Sequence, residues 1–158
     1  MSKVIAICGK VGSGKTYYAN QIINEKGGVL LSDDELLHDL FPGIHPKNHR
    51  DSIVKIDKYL LKKTISIVNS GCDVILDWGF WKKAERKEIS NYFHKYNINV
   101  EWYYIDISND VWKQNIQKRN TLNFNDGSSF YLDEEIIKKV NEQFEEPDES
   151  EKFIRITK

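Results

Sequence analysis

The chain is poor in the residues that staple or stiffen a fold: 158 residues hold two cysteines, three prolines and one methionine. Two cysteines give neither a disulfide framework nor metal-site spacing. Cys8 and Cys72 each adjoin an apolar run, so both are expected to be reduced and at least partly buried. Neither sign of charge is in excess: Lys and Arg total 23, Asp and Glu total 24, and the net charge is −1. No global field would draw the chain onto a membrane or onto nucleic acid of general sequence, which leaves only a local basic cleft for a nucleic-acid end. No apolar run approaches the roughly 18 residues of a membrane span. The run Val4–Cys8 is too short for a signal-peptide core and leads into a glycine loop, not a small-residue cleavage site, so a cytoplasmic protein is expected. The four histidines are scattered without an H-x-x-x-H pattern, which implies no zinc. No S-x-x-K or G-x-S-x-G nucleophile motif occurs.

What is present is alternation. Hydrophobic residues make up 40% and charged residues 30%, a balance that suits a globular chain, and the length suits one domain over 1–158. Short apolar runs at Val4–Cys8, Val29–Leu31, Val74–Asp77, Val100–Asp106 and Phe153–Thr157 read as strands. Between them, 15–25, 34–40, 50–69, 82–96, 109–120 and 133–144 have helical composition. The long helix 50–69 carries Ile53, Ile56, Leu60, Ile67 and Val68 on or near one stripe. In 82–96, Ala84, Ile89 and Phe93 are the expected core contacts. Pro42-Gly43 and Pro46 keep the preceding stretch irregular, and His45 and His49 read as solvated residues there. The stretch 121–131, rich in Asn, Gly and Ser and without periodicity, reads as a mobile loop. Strand alternating with helix implies an α/β fold: a three-layer sandwich of a parallel sheet with helices on both faces.

The strongest signal is Gly9-Lys10-Val11-Gly12-Ser13-Gly14-Lys15-Thr16, which fits G-x-x-x-x-G-K-[ST] between an apolar strand and a helix. Glycines let the backbone wrap a phosphate so that successive N–H groups form an anion nest, and the helix N-terminus adds unpaired donors. Lys15 would bridge the β- and γ-phosphates and Thr16 would give its hydroxyl to Mg²⁺. Gly9, Val11, Gly12, Ser13, Gly14, Lys15, Thr16 and Tyr17 are thus the expected ATP-binding set, and Tyr18 is expected in the core.

With Leu31-Ser32-Asp33-Asp34-Glu35, Ile75-Leu76-Asp77-Trp78-Gly79-Phe80-Trp81, Glu85-Arg86, Arg119-Asn120 and Phe144-Glu145-Glu146-Pro147-Asp148-Glu149 added, the chain resembles a group of P-loop kinases. This group of AAA-type ATP-binding proteins is related to polynucleotide 5′-kinase, zeta-type toxins and chloramphenicol phosphotransferase. The resemblance implies a five-stranded parallel sheet of order 2-3-1-4-5 with a lid around 115–131. It also implies ATP and Mg²⁺ as ligands and transfer of the γ-phosphoryl to a hydroxyl of a small-molecule or nucleotide/nucleic-acid-end acceptor.

Ligands of open parallel sheets sit beyond the carboxyl ends of the strands, where Asp33, Asp34 and Asp77 fall. The family pattern puts the acceptor-facing acid at Asp34, with Asp33 second; the competing reading is an N-cap of the next helix. Asp77 is either a Walker-B-type acid near Mg²⁺ or a solvated strand end. Arg119 is a lid cation or a helix C-terminal cation. Asn115 stands where the family often has a second lid arginine. Arg86 would contact the acceptor or pair with an acid on the helix surface. Trp78 or Phe80 would face the pocket, which suits a ring-bearing acceptor. The alternative function is a nucleotide-binding regulatory module or NTPase with little transfer.

Overall fold

The computed structural model describes residues 1–44, 48–126 and 131–157, with side chains throughout except at 123–126. Its element order is β1 (Val4–Cys8), α1 (Lys15–Lys26), β2 (Val29–Leu31), α2 (Asp33–Leu40), α3 (Arg50–Asn69), β3 (Val74–Gly79), α4 (Lys83–His94), β4 (Val100–Asp106), α5 (Asn109–Asp126), α6 (Glu134–Gln143) and β5 (Ile154–Thr157).

The five strands form one sheet of order β2-β3-β1-β4-β5, and every pairing is parallel. β1 is apolar throughout because both its faces are covered; all five of its residues are buried. Its alternate side chains feed two cores. Val4, Ala6 and Cys8 join Val68 of α3 and Phe93 of α4 on one face. Ile5 and Ile7 join Ala19 and Ile22 of α1 on the other. Phe93 is fully buried, and truncating such a side chain to alanine costs about 3–5 kcal/mol. β1 therefore delivers its C-terminal loop at the centre of the sheet, between the ends of β3 and β4, where connections diverge to the two sides.

The strands and the sheet order match the sequence expectation. Four expectations are corrected. Cys72 is exposed, because it belongs to the turn that closes α3 and β3 begins only at Val74. Ala84 is exposed on α4, whose buried residues are Arg86 and Phe93. Residues 121–126 are not loop but the last turns of α5; the Thr121 hydroxyl donates back to Gln117 O at 2.9 Å as in a continuing helix. Arg86 does pair with an acid, but it is buried and its partner is Glu151 rather than a neighbour on the helix surface. Residues 127–130 of the expected loop, and His45 and Pro46, lie outside the described residues. No helix among the described residues is long and apolar enough to cross a membrane.

Candidate functional site

The loop from Gly9 to Gly14 is shaped by its glycines. Gly12 has φ 81° and Gly14 φ 96°, left-handed conformations that other residues adopt only at a cost. Gly9 has no room for a side chain, since a Cβ there would lie 2.6 Å from Ser13 Oγ. Two backbone bonds fold the loop, Ser13 N to Lys10 O at 3.0 Å and Tyr18 N to Gly14 O at 3.2 Å. The amides that open α1 have no partner within the helix, which suits them to cradle an anion. Lys15 arches over the loop, its ammonium 3.2 Å from Lys10 O. Ser13 is buried within the loop, while Tyr17 is exposed at 58%. Tyr18 is half-buried and packs beside the core on the α1 face, as expected.

Thr16 Oγ1 donates to Asp77 Oδ2 at 2.6 Å. Asp77 is 5% exposed, so it is not a solvated strand end. A hydroxyl and a carboxylate at the foot of the cradle are the hard oxygen donors that suit Mg²⁺, so these residues fit that ion.

The cradle opens into a cavity of about 1230 Å³ that brings together Lys15, Thr16, Asp33, Asp34, Asp77 and Arg119. Of the expected set, Gly9 and Ser13 do not line it; they shape the loop from behind. Ser32 takes the N-cap of α2, its hydroxyl accepting from Glu35 N at 3.2 Å. Neither aspartate is therefore needed as the cap. Asp33 is 7% exposed and its carboxylate accepts from Asp34 N at 2.8 Å. Burial pushes the Asp33 carboxyl well above the ordinary range, and the charges of Asp34, Asp57 and Asp77 add to the rise. Asp34 is exposed at the cavity edge. Across from it, burial lowers the Arg119 pKa, and the carboxylates of Asp34 and Asp77 counter that loss.

Trp78 and Phe80 both line the cavity, and they stack with centroids 5.6 Å apart. Trp78 Nε1 donates to Leu31 O at 3.0 Å, joining β3 to β2. Phe80 also belongs to the core, edge-on to Trp102. Its φ of 48° is strained for an aromatic residue. Arg86 holds that strain from below, with Nη1 donating to Phe80 O at 2.9 Å and Nε and Nη2 donating to both oxygens of Glu151. The segment after α6 secures the same turn, Glu145 N donating to Trp81 O at 2.8 Å. Cys8 lies beside this group, and burial pushes its thiol up to about 12; it is inert packing.

Two residues of the site, Trp112 and Asp57, escape the sequence reading, and a third, Asn115, enters it only as standing in place of a lid arginine. Trp112 Nε1 donates to Val11 O at 2.8 Å and Asn115 Nδ2 donates to Gly12 O at 3.0 Å, so α5 grips the loop directly. Asn115 is thus a tether of the glycine loop. Asp57 is set in α3 in line with Ile53 and Leu61, all three lining the cavity. Burial lifts its carboxyl to about 7, helped by the charges of Asp34 and Glu85. Its one sequence signal was an acid four residues from an apolar neighbour on either side. His49, expected in solvent, is half-buried at the cavity wall.

The parallel sheet of this order and a glycine loop entering a helix define a P-loop protein of kinase-like fold. The chain belongs to a family of AAA domains, whose profile matches residues 4–147. No curated protein matches it in sequence. Among solved structures it is similar over 99% of its length to a sugar kinase from Janibacter (14% identity, 86% of that chain, TM-score 0.66). Over 98% it is similar to a gluconokinase from Sinorhizobium meliloti (15% identity, 82% of that chain, TM-score 0.61). Over 98% it is also similar to Kti12 from Chaetomium thermophilum, solved in complex with ADP-AlF3 (15% identity, 88% of that chain, TM-score 0.70). At these identities the likeness is one of fold.

Proposed function

We propose that this protein is an ATP-dependent phosphotransferase that moves the γ-phosphoryl of ATP onto a hydroxyl of a small acceptor. The observation that carries the reading is the Thr16–Asp77 hydrogen bond at the foot of the glycine cradle, in the same cavity as Asp33 and Arg119. The amides at the start of α1 and the Lys15 ammonium bind the β- and γ-phosphates. Thr16 and Asp77 would hold Mg²⁺, which when bound supplies charge neutralisation between phosphate oxygens.

Asp33 takes the acceptor-facing role. The sequence pattern ranks Asp34 first, but the burial of Asp33 supports the inner residue. Asp33 is enclosed in the cavity that also holds Lys15 and Asp77, whereas Asp34 is exposed at its edge, and a general base must lie within hydrogen-bond reach of the proton it takes. As the acceptor oxygen bonds to the γ-phosphorus, its proton passes to Asp33. The bond from that phosphorus to the β,γ-bridging oxygen breaks, and ADP leaves. Arg119 reaches the cavity from the opposite side and stabilises charge on the transferring group. Asp34, at the mouth, orients Arg119.

The test is ATP consumption across a panel of hydroxyl acceptors. Asp33→Asn should lower transfer at least about 100-fold while ATP affinity stays within about twofold, since the cradle is untouched. Full-rate transfer by Asp33→Asn, with loss in Asp34→Asn, would move the role to Asp34. Tight ATP binding with no turnover on any acceptor would make the protein a nucleotide-binding module.

A further inference from the structure

The cavity is electrically two-sided. The cradle, α5 and α6 present Lys15, Lys118, Arg119 and Lys139 with one acid, Glu135, among them, a positive balance that suits a polyphosphate. The facing wall, built from α2, α3 and the start of α4, presents Asp33, Asp34, Asp57 and Glu85 beside Trp78. Two cationic or titratable groups share that wall, His49 and Lys82, and Lys82 is paired with Glu145.

Two acids on this wall, Asp33 and Asp57, are short of partners among the described residues. Asp33 is 7% exposed, and among the described residues its carboxylate accepts from the amide of its own chain neighbour. Asp57 Oδ1 is buried with no donor among the described residues. A carboxylate out of water without a donor is costly, and a second one nearby raises that cost. A bound hydroxyl or ammonium relieves both; a bound anion worsens both.

We infer, building on the phosphotransfer reading, that the acceptor is a ring-bearing alcohol carrying a protonated amine, with Asp57 as the residue that receives the amine. Trp78, Ile53 and Leu61 give the ring an apolar wall. Acceptors ending in phosphate or carboxylate are excluded by the same charges that attract the amine.

The test uses three probes on one ring frame: glucosamine, glucose and glucuronate, which differ in charge. Binding to the full chain is followed by calorimetry. Glucosamine should bind at least about tenfold tighter than glucuronate, the size of a charged hydrogen bond gained against a repulsion. Asp57→Asn, nearly isosteric and uncharged, should cut that preference to about threefold or less. Glu85→Gln, on the exposed first turn of α4, gives a second reading should Asp57→Asn fold poorly, and should reduce the preference about twofold. Equal binding of glucosamine and glucuronate, no binding of any probe, or an unchanged preference in the variant overturns the inference. ATP affinity measured on the same samples, wild type against Lys15→Ala, reports separately on the phosphotransfer reading.

Discussion

Asp57 contributes to the pH dependence of the protein's stability. Its carboxyl moves from an ordinary 3.8 to about 7 on folding, so the folded state holds this proton more tightly than the unfolded chain does. Stability is therefore greatest with Asp57 protonated and falls as pH rises between those two values. Asp33 acts in the same direction. Asp57→Asn carries no charge at any pH and should flatten part of that decline, read as urea midpoints at about pH 5 and about pH 7.5. An unchanged slope would show that Asp57 is solvated. The sequence made Lys15, Thr16 and Asp77 legible because each has a fixed place relative to a glycine loop or a strand end. It could not choose between Asp33 and Asp34, since neighbours on a helix point about 100° apart and only packing says which one turns inward. Asp57 stayed hidden because an acid in an amphipathic helix reads as solvent-facing until the partner of that face is known.

At the scale of elements, two struts hold the site. The first is α5, whose Trp112 and Asn115 bond the carbonyls of Val11 and Gly12. Trp112→Phe keeps most of the packing but leaves Val11 O without its donor. It should cost about 1 kcal/mol and weaken ATP binding severalfold, checked by thermal unfolding and calorimetry; unchanged values would make the bond incidental. The second strut is the bidentate Arg86–Glu151 pair under Phe80. With Arg86 3% exposed and Glu151 19%, losing the arginine should cost about 1–3 kcal/mol, because the carboxylate left behind still reaches water. Arg86→Ala should show this loss in urea unfolding. A loss below about 1 kcal/mol would mean that the pair behaves as a surface contact. The strands were legible because apolar runs bounded by glycine and charge admit few other readings. The end of α5 was not: its Asn-rich composition suggested a loop, yet Asn120 brackets the backbone of Leu132 with both side-chain ends, a contact that arises only once the chain has returned. Arg86 was misplaced for a similar reason, because its partner lies 65 residues further along the chain.

For the whole molecule, the sheet order puts the glycine loop at the centre, with Asp33 and Asp34 of α2 and Asp57 of α3 on the cavity and Lys118 and Arg119 of α5 lining it as well. Everything functional depends on that loop holding a polyphosphate. The most direct measurement is calorimetry of the full chain with ATP and Mg²⁺, set against Lys15→Ala. The account predicts saturable one-site binding, weakened at least about tenfold by the substitution, the worth of one charge-assisted contact to phosphate. No heat of binding in the wild type, or equal affinity in the variant, would contradict it.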